Sequence, residues 1–235
     1  MNKLLKYFIY ANVIILVLLV GSNIVAYFIA KKTGKAPGYA GVKTEKLYIL
    51  SEINPSEVGE ILTDTELYTF ESQTIDKWVF FDFSRRSVVS DVSSFKDSKN
   101  WDLAIRRAKI VSNGGTTSRK GKVEVSKLAT TNFESVKKVP EDAKFLKDVQ
   151  FKADPANINF EKWYEYDFIS HKLKSRKNVF VIKTNEGNYA KMQILNYYCS
   201  KEGKKISSCY TIKYVYQGNG SKTFDKPPEK QSVSS

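Results

Sequence analysis

The pattern of hydrophobic and polar positions divides the chain into an apolar beginning and a long remainder of alternating segments. Residues 7–30 read YFIYANVIILVLLVGSNIVAYFIA and contain no charged side chain. At the α-helical rise of about 1.5 Å per residue, this run spans roughly 36 Å, which exceeds the roughly 30 Å of a bilayer hydrocarbon core. Tyr7, Tyr10 and Tyr27 lie near its ends, where aromatic residues favour the membrane–water interface. The pattern predicts one N-terminal transmembrane helix in contact with the lipid bilayer.

A cleaved signal peptide is the alternative interpretation of the same run. Its apolar core would usually be about 7–15 residues long, with small residues at the cleavage point. Here the core is longer and is followed at once by Lys31 and Lys32. These features favour an uncleaved signal-anchor between a short basic N-terminus (residues 1–6) and a linker containing Gly and Pro (residues 31–44). Lysines flank both ends, so the positive-inside rule does not decide the orientation.

Strand-like patterns dominate the chain after the linker. Residues 101–112 (WDLAIRRAKIVS) alternate between apolar and polar positions, which predicts one strand that ends at the Asn113–Gly115 turn. Three alternating runs near the C-terminus predict an antiparallel meander: Asn178–Thr184, Asn188–Tyr198 and Cys209–Gln217. Shorter strands are predicted from β-forming residues at Lys77–Phe83, Ser87–Val92 and Lys120–Val125.

The remaining segments have weaker patterns. A short helix is expected near Pro55–Leu62 and a helical turn near Glu141–Leu146, the latter within a polar, loop-like region over residues 126–160. Residues 218–235 are rich in Ser, Lys, Gly and Pro, which is typical of a disordered tail. With many strands and few helices, the sequence predicts a mostly β protein, with one antiparallel β domain over residues 45–217.

Composition narrows the classes of function. The net charge of +13 indicates an acidic partner such as anionic lipid, an anionic small molecule or nucleic acid, although a well-solvated surface explains it equally well. One histidine and two cysteines are too few ligands for a structural zinc site, and the chain has no GxSxG nucleophile motif. We therefore expect neither a metal-ion site nor an enzyme with catalytic residues.

The two cysteines provide information on the cellular compartment of the C-terminal domain. Cys199 and Cys209 bracket a predicted loop, Ser200–Ser208, between two alternating strands. A disulfide at this position is natural in an oxidising compartment, and two buried reduced thiols are the alternative. With the anchor, a disulfide predicts a single-pass membrane protein whose C-terminal domain is periplasmic or extracellular, where nucleic acid is an unlikely partner.

Several segments resemble the HmuY family of extracytoplasmic haem-binding proteins, and they occur in family order over roughly residues 77–216. The segments that carry the resemblance are KWVFFDFS (77–84), WDLAIRR (101–107), NGG (113–115), WYEY (163–166), NVFVIKT (178–184) and EGNYAKMQI (186–194). The resemblance implies an almost all-β fold in which haem lies in a cleft between strand ends. It also implies two axial ligands to the iron, His pairs in some members and Met in others.

The family's ligand positions match this sequence only in part. One His of the bis-His pattern would follow the aromatic stretch at 163–165, where this chain has Tyr166, and His171 lies a few residues later. His171 has three interpretations: an axial ligand with a tyrosine partner, a surface residue, or a packed residue bonded to the backbone. Met192 alternates with core positions of its strand, which predicts packing and not ligation.

Basic residues supply a second set of candidates. Arg106, Arg107 and Arg119 lie around the Asn113–Gly115 turn and could pair with haem propionates or another carboxylate or phosphate, although charges near turns are often simply solvated. The sequence therefore predicts a membrane-anchored, extracytoplasmic HmuY-like binding protein for haem or a related porphyrin. The alternative is a tethered structural or interaction domain that keeps the fold without binding haem.

Overall fold

The computed structural model describes residues 2–33, 46–72 and 76–225, which form two compact units divided at Lys46. The first unit contains the helix α1 (Lys3–Thr33), in which apolar side chains such as Leu16 and Leu18 are exposed. Its segment Lys3–Ser22 is long and apolar enough to cross a membrane, a test that a signal sequence would also pass. Of the predicted linker, residues 34–44 lie outside the described part of the chain.

The second unit is built almost entirely from β-strands. Its strands are β1 (Tyr48–Ile49), β2 (Glu66–Glu71), β3 (Val79–Asp82), β4 (Ser87–Val89), β5 (Leu103–Arg106), β6 (Lys109–Ser112), β7 (Glu124–Lys127), β8 (Val149–Phe151), β9 (Asp154–Ala156), β10 (Tyr164–Asp167), β11 (Lys172–Ser175), β12 (Val179–Lys183), β13 (Tyr189–Lys201) and β14 (Lys204–Gln217). The predicted mostly antiparallel β fold is thereby confirmed.

The larger sheet has the strand order β2-β14-β13-β12-β7, and β1 pairs in parallel with β13. The predicted C-terminal meander is β12–β13–β14, in which each neighbouring pair is antiparallel. Alternation sorts the side chains of β12 between the two faces. Phe180 and Ile182 belong to the main core, whereas Val179 and Val181 pack on the opposite face.

A smaller sheet, with the order β4-β3-β5-β6, packs on the first. The main core lies between the two sheets, because it contains Phe81 and Leu103 from the smaller sheet and Phe70, Ile194 and Tyr210 from the larger one. Burying such side chains contributes roughly 1.5–3 kcal/mol each relative to exposure. Met192 is 1% exposed within this core, which confirms its predicted packing role.

Packing continues beyond the predicted end of the domain at Gln217. Phe224 is buried with Phe133, Val136 and Val139 on the outer face of the larger sheet. The backbone N–H of Phe224 donates to Lys137 O at 2.7 Å. Residues 218–225 are therefore part of the packed unit and not of a disordered tail, because one aromatic side chain fixes them there. Residues 226–235 lie outside the described part.

The single strand predicted over residues 101–112 is wrong. The structure divides it into β5 and β6, which pair through Ile105↔Ile110, with Arg107 at φ 52° in the turn. Ile105 and Ile110 both lie in the main core, although residues five apart on one continuous strand would face opposite sides. The need to bury both isoleucines therefore requires the turn.

Four other local predictions also differ from the structure. Residues 55–62 and 141–146 form no helix, and the loop-like region 126–160 contains the hairpin β8–β9. The predicted loop Ser200–Ser208 is mostly strand, because β13 and β14 continue to a two-residue turn at Glu202–Gly203. Both turn residues have positive φ, 51° and 73°, as a type I′ hairpin requires.

Cys199 and Cys209 form a disulfide, as predicted, with a Cα–Cα distance of 5.6 Å and both cysteines fully buried. The bridge joins β13 to β14 where their register shifts, close to Ser208, whose φ is 55°. It therefore fixes the pairing of two long strands at a point where the hydrogen-bond ladder is irregular.

Candidate functional site

A groove of about 730 Å³ lies among the hairpin β8–β9, the turn between β5 and β6, and the strand β10. Aromatic side chains form much of its wall, and the charged groups include both cations and carboxylates. The lining residues are Ala108, Lys109, Ile110, Phe151, Ala156, Phe160, Glu161, Lys162, Trp163, Tyr164, Glu165, Tyr166 and Arg176. Such a mixture suits a ligand with a flat apolar body and acidic substituents.

Trp163 fixes the wall of the groove to the core. Its side chain is 2% exposed, and its indole Nε1–H donates to the carbonyl of Ala108 at 2.9 Å. Its ring packs against Tyr210 and Tyr197, with centroid distances of 5.2 and 5.7 Å. The strand β10 therefore starts from a rigid aromatic cluster, and the side chains that follow Trp163 are held in defined positions.

The turn of the hairpin β10–β11 brings a tyrosine and the histidine together. Asp167 Oδ1 accepts the backbone N–H groups of Ile169 at 2.9 Å and Ser170 at 3.1 Å, a local bond pattern that favours a tight turn. His171 completes the turn with φ 53°. Tyr166 Oη and His171 Nδ1 are 2.6 Å apart, and the hydroxyl donates when Nδ1 carries no proton.

An ion pair holds the hairpin β8–β9, on the other wall of the groove, in place. Asp154, on β9, lies 3.1 Å from Lys109 Nζ and 3.6 Å from the guanidinium of Arg106. The hydrogen bond from Lys109 and its positive charge lower the pKa of Asp154 below the usual carboxyl value. Arg106 also stacks over the ring of Trp78 at 4.5 Å. These contacts tie the β8–β9 hairpin to the strands β5 and β6.

A buried carboxylate secures the base of the same hairpin. Asp148 accepts the backbone N–H of Ser112 at 2.8 Å and the side-chain amide of Asn157 at 2.9 Å. The hydroxyls of Ser112 and Thr117 also donate to it. Burial raises the pKa of Asp148, and these hydrogen bonds oppose the rise. The network joins both ends of the hairpin to β6.

The structure places the predicted site residues at different distances from the groove. Tyr166 lines the groove, and His171 reaches it through its hydrogen bond to Tyr166. Arg106 lies beside the groove in the Asp154 ion pair. Arg107 is exposed in the β5–β6 turn, where its carbonyl accepts the hydroxyl of Tyr210.

Arg119 is a different case, because it pairs with Asp97 and its backbone N–H bonds Lys96 O, so it does not belong to the groove wall. The sequence reasoning also missed several groove residues: Phe151, Phe160 and Lys162. Phe151 is an isolated aromatic residue in a polar segment and is 54% exposed, a signal that could have drawn attention to it.

The fold and the groove together define a class: a two-sheet antiparallel β protein with an aromatic and basic groove beside two projecting hairpins. The chain belongs to the HmuY protein family, whose sequence model matches residues 74–214, more than half of its length. No curated protein matches the chain as a whole or in part.

Solved structures show the same fold at low sequence identity. A proposed HmuY-like haem-binding protein from Bacteroides vulgatus is 20% identical, with a TM-score of 0.51 over 68% of this chain and 98% of that one. A proposed lipoprotein from Bacteroides fragilis is 15% identical, with a TM-score of 0.51 over 69% and 95%. Apo PinO from Porphyromonas gingivitis is 16% identical, with a TM-score of 0.50 over 66% and 98%.

Proposed function

We propose that the protein is a membrane-anchored, extracytoplasmic binding protein that takes haem or a related porphyrin in the groove. The observation that carries the proposal is the groove itself, with aromatic side chains and cations on its wall. Its volume of about 730 Å³ falls within the roughly 300–1,000 Å³ typical of small-molecule sites. The family and the haem-binding neighbour support this ligand class.

The lining residues fit the chemistry of a porphyrin. Phe151 and Tyr166 are 54% and 42% exposed, so their rings are available to contact a flat macrocycle. Lys109, Lys162 and Arg176 supply cations that could pair with propionate carboxylates. When bound, haem would supply an iron that protein side chains can ligate.

Tyr166, an exposed tyrosine of the groove wall, would be the residue that ligates the iron, since tyrosine is an established haem ligand. His171, through its 2.6 Å bond, would hold the Tyr166 hydroxyl in one orientation. The family's His and Met ligands have no counterpart here: His171 is the sole histidine, and Met192 is buried between the sheets.

The helix α1 and the disulfide support the proposed location. Residues 7–30 would hold the protein in the bilayer as a signal-anchor, and a bridge between Cys199 and Cys209 persists in an oxidising compartment. Protease added outside the membrane should then remove the β domain from intact cells or spheroplasts. Full protection of the domain would contradict this topology.

A second candidate function is a tethered interaction domain without a ligand. The single observation that favours it is that no imidazole or thioether lines the groove wall, as far as the structure describes it. Titration of the full chain in nanodiscs with haemin decides between the two. A saturable Soret shift at one equivalent, above that of empty nanodiscs, supports haem binding, and a signal equal to empty nanodiscs supports the interaction domain.

A further inference from the structure

The three most exposed large apolar side chains of the β domain, as far as the structure describes it, are Ile169, Phe168 and Ile49. They are 87%, 81% and 79% exposed, above Ile53 at 66%. Scattered apolar residues on a surface are ordinary, but large side chains gathered at one end of a domain indicate an interaction site. Their positions in the topology therefore decide whether they form one surface.

All three lie at the same end of the larger sheet. Ile49 pairs with Ser200 on β13, next to the turn at Glu202–Gly203. The hairpin β10–β11 runs along β13 toward that turn, because Ser175 Oγ bonds Ile194 O. Leu173 N–H, nearer to Phe168 and Ile169, bonds Tyr198 Oη further along the same strand. We call this end, formed by residues 47–49, 168–174 and 199–205, the tip end.

Lysines surround the apolar side chains of the tip end. The lysines of these segments are Lys172, Lys174, Lys201, Lys204 and Lys205. Lys205 Nζ lies over the ring of Tyr198, 4.4 Å from its centroid, in a cation–π contact on an exposed residue. Apolar side chains with lysines around them match a lipid interface, where the former enter the acyl boundary and the latter meet anionic headgroups.

Acidic residues at the tip end reduce its charge without reversing it. Asp167 accepts two turn amides, and Glu71 pairs with Lys201 at 2.9 Å. Glu165 and Glu202 are exposed. The lysines still outnumber these carboxylates, so the electrostatic attraction to an anionic surface remains favourable.

The chain enters the β domain at this end. Lys46, the first described residue after the segment 34–45, is followed by Leu47 and then by β1, which pairs with Cys199 and Ser200. A domain joined covalently to an anchored helix meets lipid at high effective concentration, so a patch of a few apolar side chains suffices for binding. We propose that the tip end docks on an anionic lipid surface, with Phe168 and Ile169 inserted and the lysines on the headgroups.

Hydrogen exchange on the full chain tests the proposal without haem. Two nanodiscs are compared, one of phosphatidylcholine alone and one with phosphatidylglycerol added. We expect the amides of residues 168–172 to exchange at least about tenfold more slowly with phosphatidylglycerol, and the difference to shrink at high salt, which screens surface charge. Equal exchange in both nanodiscs overturns the proposal.

Matched variants separate docking from other causes. Phe168→Ser with Ile169→Ser should abolish the protection while the core strands keep their exchange rates. Ile61→Ser is the control, because Ile61 is 54% exposed and precedes Leu62, which pairs with Gln217 at the opposite end of β14. Protection that Ile61→Ser also removes, or that appears in detergent without lipid, overturns the proposal.

Discussion

Tyr166 Oη and His171 Nδ1 lie 2.6 Å apart across the turn of the hairpin β10–β11. Tyr166 belongs to the groove wall. His171 does not line the groove and is linked to it by this hydrogen bond to Tyr166. The relationship gives the two residues unequal roles in any ligand chemistry. In the proposed haem site, Tyr166 would contact the iron and His171 would position Tyr166.

Haemin titration of two variants tests these roles. Tyr166→Phe should lower the affinity at least about tenfold, because the candidate iron ligand is removed. His171→Ala should lower it less, because the phenol oxygen remains. Absorption spectra should also change in position for Tyr166→Phe, which reports the ligand itself. Tyr189→Phe is the control, since Tyr189 packs with Phe145 on the opposite face of the larger sheet. An unchanged spectrum in Tyr166→Phe would exclude Tyr166 as ligand.

The Asp154 ion pair should control the mobility of the hairpin β8–β9. Asp154→Asn removes the charge that holds Lys109, at a cost of about 0.2–1 kcal/mol for such an exposed pair. The amides of residues 149–156 should therefore exchange faster in the variant, with the core strands unchanged.

The same ion pair predicts a pH dependence. Because the folded pKa of Asp154 lies below its unfolded value, the stabilisation is present above the ordinary carboxyl pKa of about 3.9 and is lost as the pH falls through the lowered value. Asp154→Asn should not show this loss of stabilisation at low pH. Asp142→Ala, an exposed change in the preceding loop, should leave the hairpin's exchange unaltered.

Asp148 should matter far more for stability. Asp148→Ala removes the acceptor of the buried N–H of Ser112 and of the buried hydroxyl of Thr117, at a cost of about 1–3 kcal/mol for each such group. Urea unfolding followed by tryptophan fluorescence measures this loss in the β domain alone, because Trp78, Trp101 and Trp163 all lie there. An unchanged midpoint would contradict the role of Asp148.

The contribution of Asp148 to folding stability depends on pH with the opposite sign to that of Asp154. Burial raises the folded pKa of Asp148 above its unfolded value. Between the two values the unfolded chain has already lost the proton that the folded chain keeps, so this group makes the protein less stable as the pH rises through that window. In Asp148→Ala this contribution should be absent.

Most of the fold could be predicted from the sequence because the runs of alternating apolar and polar residues are long. β12, β13 and β14 were predicted as a meander, since each has side chains sorted between two buried faces. The β5–β6 turn was missed because neither Arg107 nor Ala108 is a usual turn residue, and only the pairing of Ile105 with Ile110 requires a hairpin there.

The site was less accessible to sequence reasoning. Tyr166 and His171 are close in sequence, so a local turn could bring them together and both could be proposed. Lys109 and Asp154 are far apart along the chain, and nothing local to either predicts their contact. Arg119 lies near Lys109 in sequence, yet the loop after β6 directs it to Asp97.

The disulfide provides the last prediction. Replacing both cysteines by alanine should destabilise the β domain by about 2–3 kcal/mol, the entropic value for a closed loop of about ten residues. Reductant should shift the unfolding midpoint of the natural protein toward that of the variant and leave the variant unchanged. In denatured protein, thiol reagents should label Cys199 and Cys209 only after reduction. Immediate labelling without reductant would show free thiols and would also remove one support for an extracytoplasmic domain, because reduced cysteines are what a reducing compartment maintains.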